Sequence, residues 1–157
     1  MTTARVLLQE YVASGSLMQV ATLTGEGDPR VCSVWYDPHF APDVLRWISR
    51  HDRAHSRAIT KDARVAGAIV AIPLDGLGQT VRGVSFTGQA RQLPTEGIDQ
   101  EITDFVTRWP AAAGALDREK LAAGHTPTRL YEVTVTEWVL FDEENFPDQP
   151  RQVIACE

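Results

Sequence analysis

The sequence predicts a mainly β protein, a single domain over residues 1–157 in which six antiparallel strands close into a barrel with flanking short helices. Three observations carry this expectation. Arg82–Leu93 alternates apolar and polar residues with a period of two, and Tyr131–Phe141 does so for most of its length. Turns rich in glycine and proline separate short strand-like runs. The order of strands and helices does not repeat as βαβ, so hairpins and antiparallel pairing dominate. Closure removes exposed sheet edges, which favours a barrel.

The elements follow in order. Residues 3–14 form a short helix with Val6, Leu7, Leu8 and Tyr11 on its apolar face, ended by Gly15. LMQVATL (17–23) and RVCSVWY (30–36) are strands joined through Gly25, Gly27, Asp28 and Pro29, a hairpin. Residues 37–43, with Pro38 and Pro42, read as a loop before a third strand over Val44–Ile48. A short helix spans about Asp52 to Thr60. VAGAIVAI (65–72) is apolar without alternation, a strand shielded on both faces. One face would meet the core, and the other needs a helix or a second subunit.

After a Gly-rich turn at Pro73–Thr80, RGVSFTGQARQL is the long fifth strand, stopped by Pro94. Residues 96–109 form a helix with Ile98, Ile102, Phe105, Val106 and Trp109 inward, ended by Pro110. Residues 116–124 are a second helical or irregular piece. In the last strand Tyr131, Val133, Val135, Val139 and Phe141 share a face, interrupted by Glu137. Trp138 then points to the opposite side, towards a second packed surface such as a dimer seam. The acidic, proline-containing tail from Asp142 is loose or lies over a partner.

A chain of 157 residues, 43% hydrophobic, buries about 70% of its unfolded surface and needs no disulfide or metal to fold. The net charge of −6 argues against a nucleic-acid partner, which would need a broad basic face. Cys32 and Cys156 are far apart and outside any CxxC pair, so both are expected reduced and the protein cytoplasmic. Cys32 reads as a structural thiol rather than a nucleophile. No apolar run reaches the roughly 18 residues of a membrane span. The N-terminus lacks a signal-peptide core.

One segment opposes the overall charge. RWISRHDRAHSRAITK (46–61) holds Arg46, Arg50, Arg53, Arg57 and Lys61 against a single acid, Asp52. A local positive field on an acidic body fits a small anion. Arg50, Arg53 and Arg57 recur at helical spacing, arginine forks suit phosphate oxygens, and Ser49 and Ser56 add hydroxyls. The same residues also describe a solvated helix salt-bridged to the acidic body. His51 and His55 share a helix face, but a third ligand is missing and the arginines repel a cation, so no metal site is expected. GLGQTVRG (76–83) lacks the following helix of a dinucleotide fingerprint and reads as a hairpin loop. Trp35, Tyr36 and Trp47 line a flat-ring pocket or belong to the core or an interface. No catalytic signature is complete.

The segments VATLTGEGDPRVCSVWY, LRWISRHDRAHSRAITKDARVAGAI and RGVSFTGQARQL resemble the flavin-binding split-barrel proteins related to pyridoxamine 5′-phosphate oxidase. The resemblance runs from about Leu17 to Phe141. It implies a split barrel, a homodimer with FMN near the subunit interface, and a small organic substrate. By position, Ser49, Arg53, His55 and Ser56, with Arg50 and Arg57 beside them, match the family's phosphate-binding turn. Ser33, Val34, Trp35 and Trp47 match the surface against which the flavin ring rests. Ala54-His55 stands where the family carries a lysine. The C-terminal substrate segment of the true oxidase has no counterpart, which implies a small separate branch. The expected function is an FMN-dependent oxidoreductase. The alternative is a non-enzymatic flavin- or haem-binding protein, with His39, His51, His55 or His125 as a haem ligand. A deazaflavin cofactor, or none, completes the alternatives.

Overall fold

The computed structural model describes residues 3–157. Helix α1 (Ala4–Ser14) starts at Thr3, whose hydroxyl accepts from Val6 N. Eight strands follow: β1 (Leu17–Leu23), β2 (Pro29–Trp35), β3 (Asp37–His39), β4 (Val44–Arg50), β5 (Arg64–Ile69), β6 (Arg82–Gln92), β7 (Thr128–Asp142) and β8 (Arg151–Ile154). Helix α2 (Ala54–Lys61) lies between β4 and β5, while α3 (Asp99–Arg108) and α4 (Arg118–Ala122) lie between β6 and β7.

All strand pairs are antiparallel, in the order β2-β1-β5-β6-β7-β4-β3, with β8 added to β7. The outermost strands of this path, β2 and β3, are consecutive in sequence with only Tyr36 between them. The sheet must therefore curl until its two edges meet, without the two pairing. This is the expected mainly β split barrel, with eight strands in place of six. The two additions are short. Asp37–His39 pairs with Val44–Arg46 despite Pro38, on a strand with no second neighbour to serve, where a missing N–H is tolerated. The tail is not loose: residues 151–154 pair with residues 138–141 of β7.

Strand β7 differs from its expected facing. Gly88 pairs with Val135 and Thr87 with Glu137, so Thr136 is an extra residue, a β-bulge. The bulge reverses the alternation. Val133 and Val135 face the barrel core before it, and Trp138 and Leu140 face the same core after it. Trp138 is therefore fully buried rather than part of an outer seam, and Val139 and Phe141 leave the shared face. Gly88 is needed at this point, because a Cβ there would strike the Thr134 carbonyl oxygen and the Val133 side chain.

The bulge also divides one edge of β7. Residues 128–134 pair with β4 and residues 138–141 pair with β8. Asp43 occupies the gap. Its carbonyl accepts from Val135 N at 3.0 Å, and its own N–H donates to Glu157 O at 3.0 Å. Its carboxylate, 1% exposed, takes both Arg5 Nη atoms at 2.7 and 2.6 Å and Trp138 Nε1 at 2.8 Å. A second, smaller core lies outside the barrel, where Ile48 and Leu130 pack under Ile102, Phe105 and Leu116.

Burial pushes the Asp43 carboxyl upward, but hydrogen bonds from Arg5, Trp138 and Glu157 N outweigh it and hold the group below the ordinary carboxylate value. The stability it confers is present above the unfolded-state pKa near 3.8 and is lost as pH falls through the lower folded value. Asp43→Ala is expected to cost about 3 kcal/mol in urea unfolding at neutral pH, because Arg5 and Trp138 lose their shared partner. The cost should shrink on acidification below pH 4, where wild type loses the same charge.

Candidate functional site

The cationic segment sits where β4 hands over to α2. The turn is pinned by Arg53 N donating to Arg50 O at 3.2 Å and by buried Ser56, whose hydroxyl donates to the same oxygen at 2.8 Å. His51 N donates to Pro127 O at 3.0 Å and ties the turn to the chain that starts β7. Helix α2 then begins with Arg53 at its N-cap, and no side chain caps it. The first-turn amides of Ala54, His55 and Ser56 have no carbonyl within the helix to meet, and the helix dipole adds partial positive charge. Such an end suits an oxyanion.

Ser49 and His55 meet at this end, with Oγ 2.8 Å from Nε2. Burial, and then the charge of Arg53, lower the His55 pKa below its ordinary 6.5, so the imidazole is neutral at neutral pH. One proton of the pair is used in this bond, so the pair can offer a ligand either the Ser49 hydroxyl or the His55 ring N–H, in both cases without a buried charge.

The arginines divide. Arg46 is held by Glu132 at 2.8 Å and belongs to the solvated-and-paired alternative. Arg50 makes a two-point pair with Asp52 at 3.1 and 3.0 Å. Arg57 donates to the Asp52 backbone oxygen at 2.7 Å and, like Arg53 and Lys61, makes no ion pair among the described residues. Net positive charge at the mouth of α2 therefore comes from Arg53 and Arg57.

The expected ring surface is only partly available. Ser33 and Trp35 are on the outer side of β2, with Trp35 58% exposed, while Val34 faces the core. Trp47 is corrected outright: it is 1% exposed and stacks on Tyr131 with centroids 5.5 Å apart. Its position in β4 puts it on the inner face with Leu45, so its side chain cannot touch a surface ligand. Arg129 was not anticipated. It stands opposite Ser49 in the β4–β7 ladder, its guanidinium donating to the Thr126 and Thr128 carbonyls. The apolar pattern of the last strand starts at Tyr131 and gave no sign that pairing extends back to Thr128.

The Ser49–His55 pair, open helix amides and two arginines without an ion pair among the described residues form a donor set that fits a phosphate, while the buried Ser56 hydroxyl is spent on Arg50 O. The ring end offers Ser33, Trp35 and the β2 backbone.

These features define a split-barrel protein. The family profile described as pyridoxamine 5′-phosphate oxidase matches residues 7–142, and the chain belongs to that family. No curated protein matches it. Among solved structures it is similar to a haem-binding protein from Mycobacterium smegmatis, at 18% identity and TM-score 0.79. That match covers 99% of this chain and 59% of the other. It is also similar to a haem storage protein from Vibrio cholerae, at 14% identity and TM-score 0.66, over 85% of this chain and 91% of that one. A third is an FAD-binding protein from Mesorhizobium loti, at 15% identity and TM-score 0.62, over 87% and 92%. At these identities the structural likeness shows the fold.

NMR titration of the histidine ring protons is expected to give His55 a midpoint below 6.5. Arg53→Ala should raise that midpoint by removing a nearby like charge. A midpoint unmoved by the substitution would remove Arg53 from the electrostatics of the site.

Proposed function

We propose that the protein binds FMN, with the phosphate at the start of α2, and works as an FMN-dependent oxidoreductase on a small organic substrate. The observation that carries this reading is the uncapped α2 N-terminus beside the Ser49–His55 pair. The free donor of the Ser49–His55 pair and the first-turn amides donate to phosphate oxygens, while Arg53 and Arg57 balance the charge. The histidine replaces the family's lysine with a neutral donor, and two arginines supply the missing positive charge. Ser33, Trp35 and the β2 backbone orient the ring end. Bound flavin supplies the redox chemistry by accepting and releasing a hydride or electrons.

The reading includes a homodimer. The outer face of the sheet has rows Ser33–Gln19–Ala68–Ser85 and Val31–Ala21–Ala66–Thr87 across its ladders, all without charge. Val31, Trp35 and Val70 are exposed on or beside it. An uncharged, small-residue face on a chain with 21 acidic and 15 basic residues fits a second copy better than water.

Non-enzymatic haem binding is the second reading. It is favoured by His39, whose Nε2 lies 2.7 Å from Asp37 Oδ2, the carboxylate support common behind metal-ligating histidines. The absorption spectrum of protein purified without added cofactor separates the two. A flavin band supports the first reading and a Soret band the second. Colourless protein that also fails to bind added FMN ends the first.

Arg53→Ala with His55→Ala is expected to weaken FMN by about tenfold or more, since hydrogen bonds to charged groups are worth about 1.5–3 kcal/mol. Riboflavin, which lacks the phosphate, should be affected far less. Equal losses for both ligands in a fluorescence titration would contradict the phosphate assignment. Sedimentation velocity should show a dimer, and Ala66→Arg on the outer sheet face should give a monomer.

A further inference from the structure

A cleft of about 330 Å³ opens between the barrel and its helical layer. Trp35 and Ile48 form the barrel side, and Phe105 with Trp109 forms the helical side. The remaining lining is methyl groups from Ala111, Ala112 and Ala115 in the turn after α3. None of these side chains carries a charge, and their only hydrogen-bonding groups are the two indole N–H groups.

One of those N–H groups is already used. Trp109 Nε1 donates to Tyr36 O at 2.9 Å, and the Arg108 guanidinium lies 5.3 Å from the Trp109 ring centroid. Arg108 itself donates to the carbonyls of Tyr36, Ala13 and Gly15. The Trp109 wall is therefore anchored from behind. Trp35 faces it with centroids 5.2 Å apart and planes tilted by 57°, an edge-inclined aromatic pair. The alanine floor keeps space in front of the rings that larger side chains would fill.

We propose that this cleft is a binding site for a small uncharged aromatic molecule of one or two rings. Aromatic walls offer faces and edges to a planar ring, and their large apolar area supplies the driving force. A charged ligand would lose water here and gain no partner. The volume lies at the lower end of small-molecule sites, which excludes a large cofactor from the cleft itself. The inference shares Trp35 with the FMN reading but needs no flavin. If that reading holds, the cleft supplies the substrate class, a neutral aromatic compound brought to the ring end of the site.

The test is calorimetric titration of the full chain with 2-naphthol, and with 2-naphthoate as its anionic counterpart. Saturable binding of 2-naphthol is expected, with 2-naphthoate at least about tenfold weaker because its charge is not compensated. Ala115→Leu should block the cleft and abolish 2-naphthol binding while leaving FMN titration unchanged. Trp35→Ala, at an exposed position whose loss leaves the core intact, should weaken 2-naphthol by about fivefold to tenfold. Absence of saturable binding, or undiminished binding by Ala115→Leu, overturns the proposal. So does a change from dimer to monomer on Ala115→Leu, which would mean that a second copy fills the cleft. Binding of 2-naphthol by protein that does not bind FMN keeps the cleft and removes the flavin reading, and the reverse result does the opposite.

Discussion

The barrel closes on Tyr36. It is the only residue between the two outermost strands, so the meeting of those edges depends on it. All of its polar groups are engaged. Its N–H donates to Ser16 O at 3.2 Å, and its hydroxyl donates to Val12 O at 2.5 Å. Its carbonyl accepts from Arg108 Nε and Trp109 Nε1, both at 2.9 Å. One buried residue thus joins the end of α1, the sheet and the end of α3. Gly15 makes room for it, because a Cβ there would collide with the Tyr36 hydroxyl. The same knot that closes the barrel also anchors the Trp109 wall of the aromatic cleft.

A second constraint acts at the far end of β4. The bulge at Thr136 turns Trp138 inward, and Asp43 fills the interrupted edge beside it. N-terminal helix, C-terminal residue and bulged strand converge on one carboxylate. The carboxylate is acceptable in this setting because charged and neutral donors surround it. Strand β4 is therefore fixed by Asp43 where it begins and by the Ser56–Arg50 bond where it ends. The helix that follows inherits a fixed direction, and with it the Ser49–His55 pair and the open amides.

The electrostatics of the cationic segment are more selective than its composition. Of five basic side chains, Arg46 and Arg50 are spent on Glu132 and Asp52. What remains at the helix start is a small set of neutral donors with Arg53 and Arg57 at the rim. A neutral imidazole in place of a lysine avoids another buried cation beside arginines, which is consistent with the downward pKa shift of His55.

Much of the fold was legible because it is local. Period-two alternation marked β6, turn residues marked the β1–β2 hairpin, and the β4–α2 order placed the cationic turn. The short β3 and β8 were not legible, since pairing with an existing edge, rather than their own residues, makes them strands. Trp47 was misplaced for a related reason: a tryptophan beside a basic turn looks the same whether it faces ligand or core, and stacking on Tyr131 decides. Strand periods, turns and the clustering of cations are readable along the chain, because each is a property of sequence neighbours. Which cations are spent, which tryptophans are buried and where the bulge flips β7 are settled by folding. Those depend on partners such as Glu132, Tyr131 and Asp43 that lie far away in the chain.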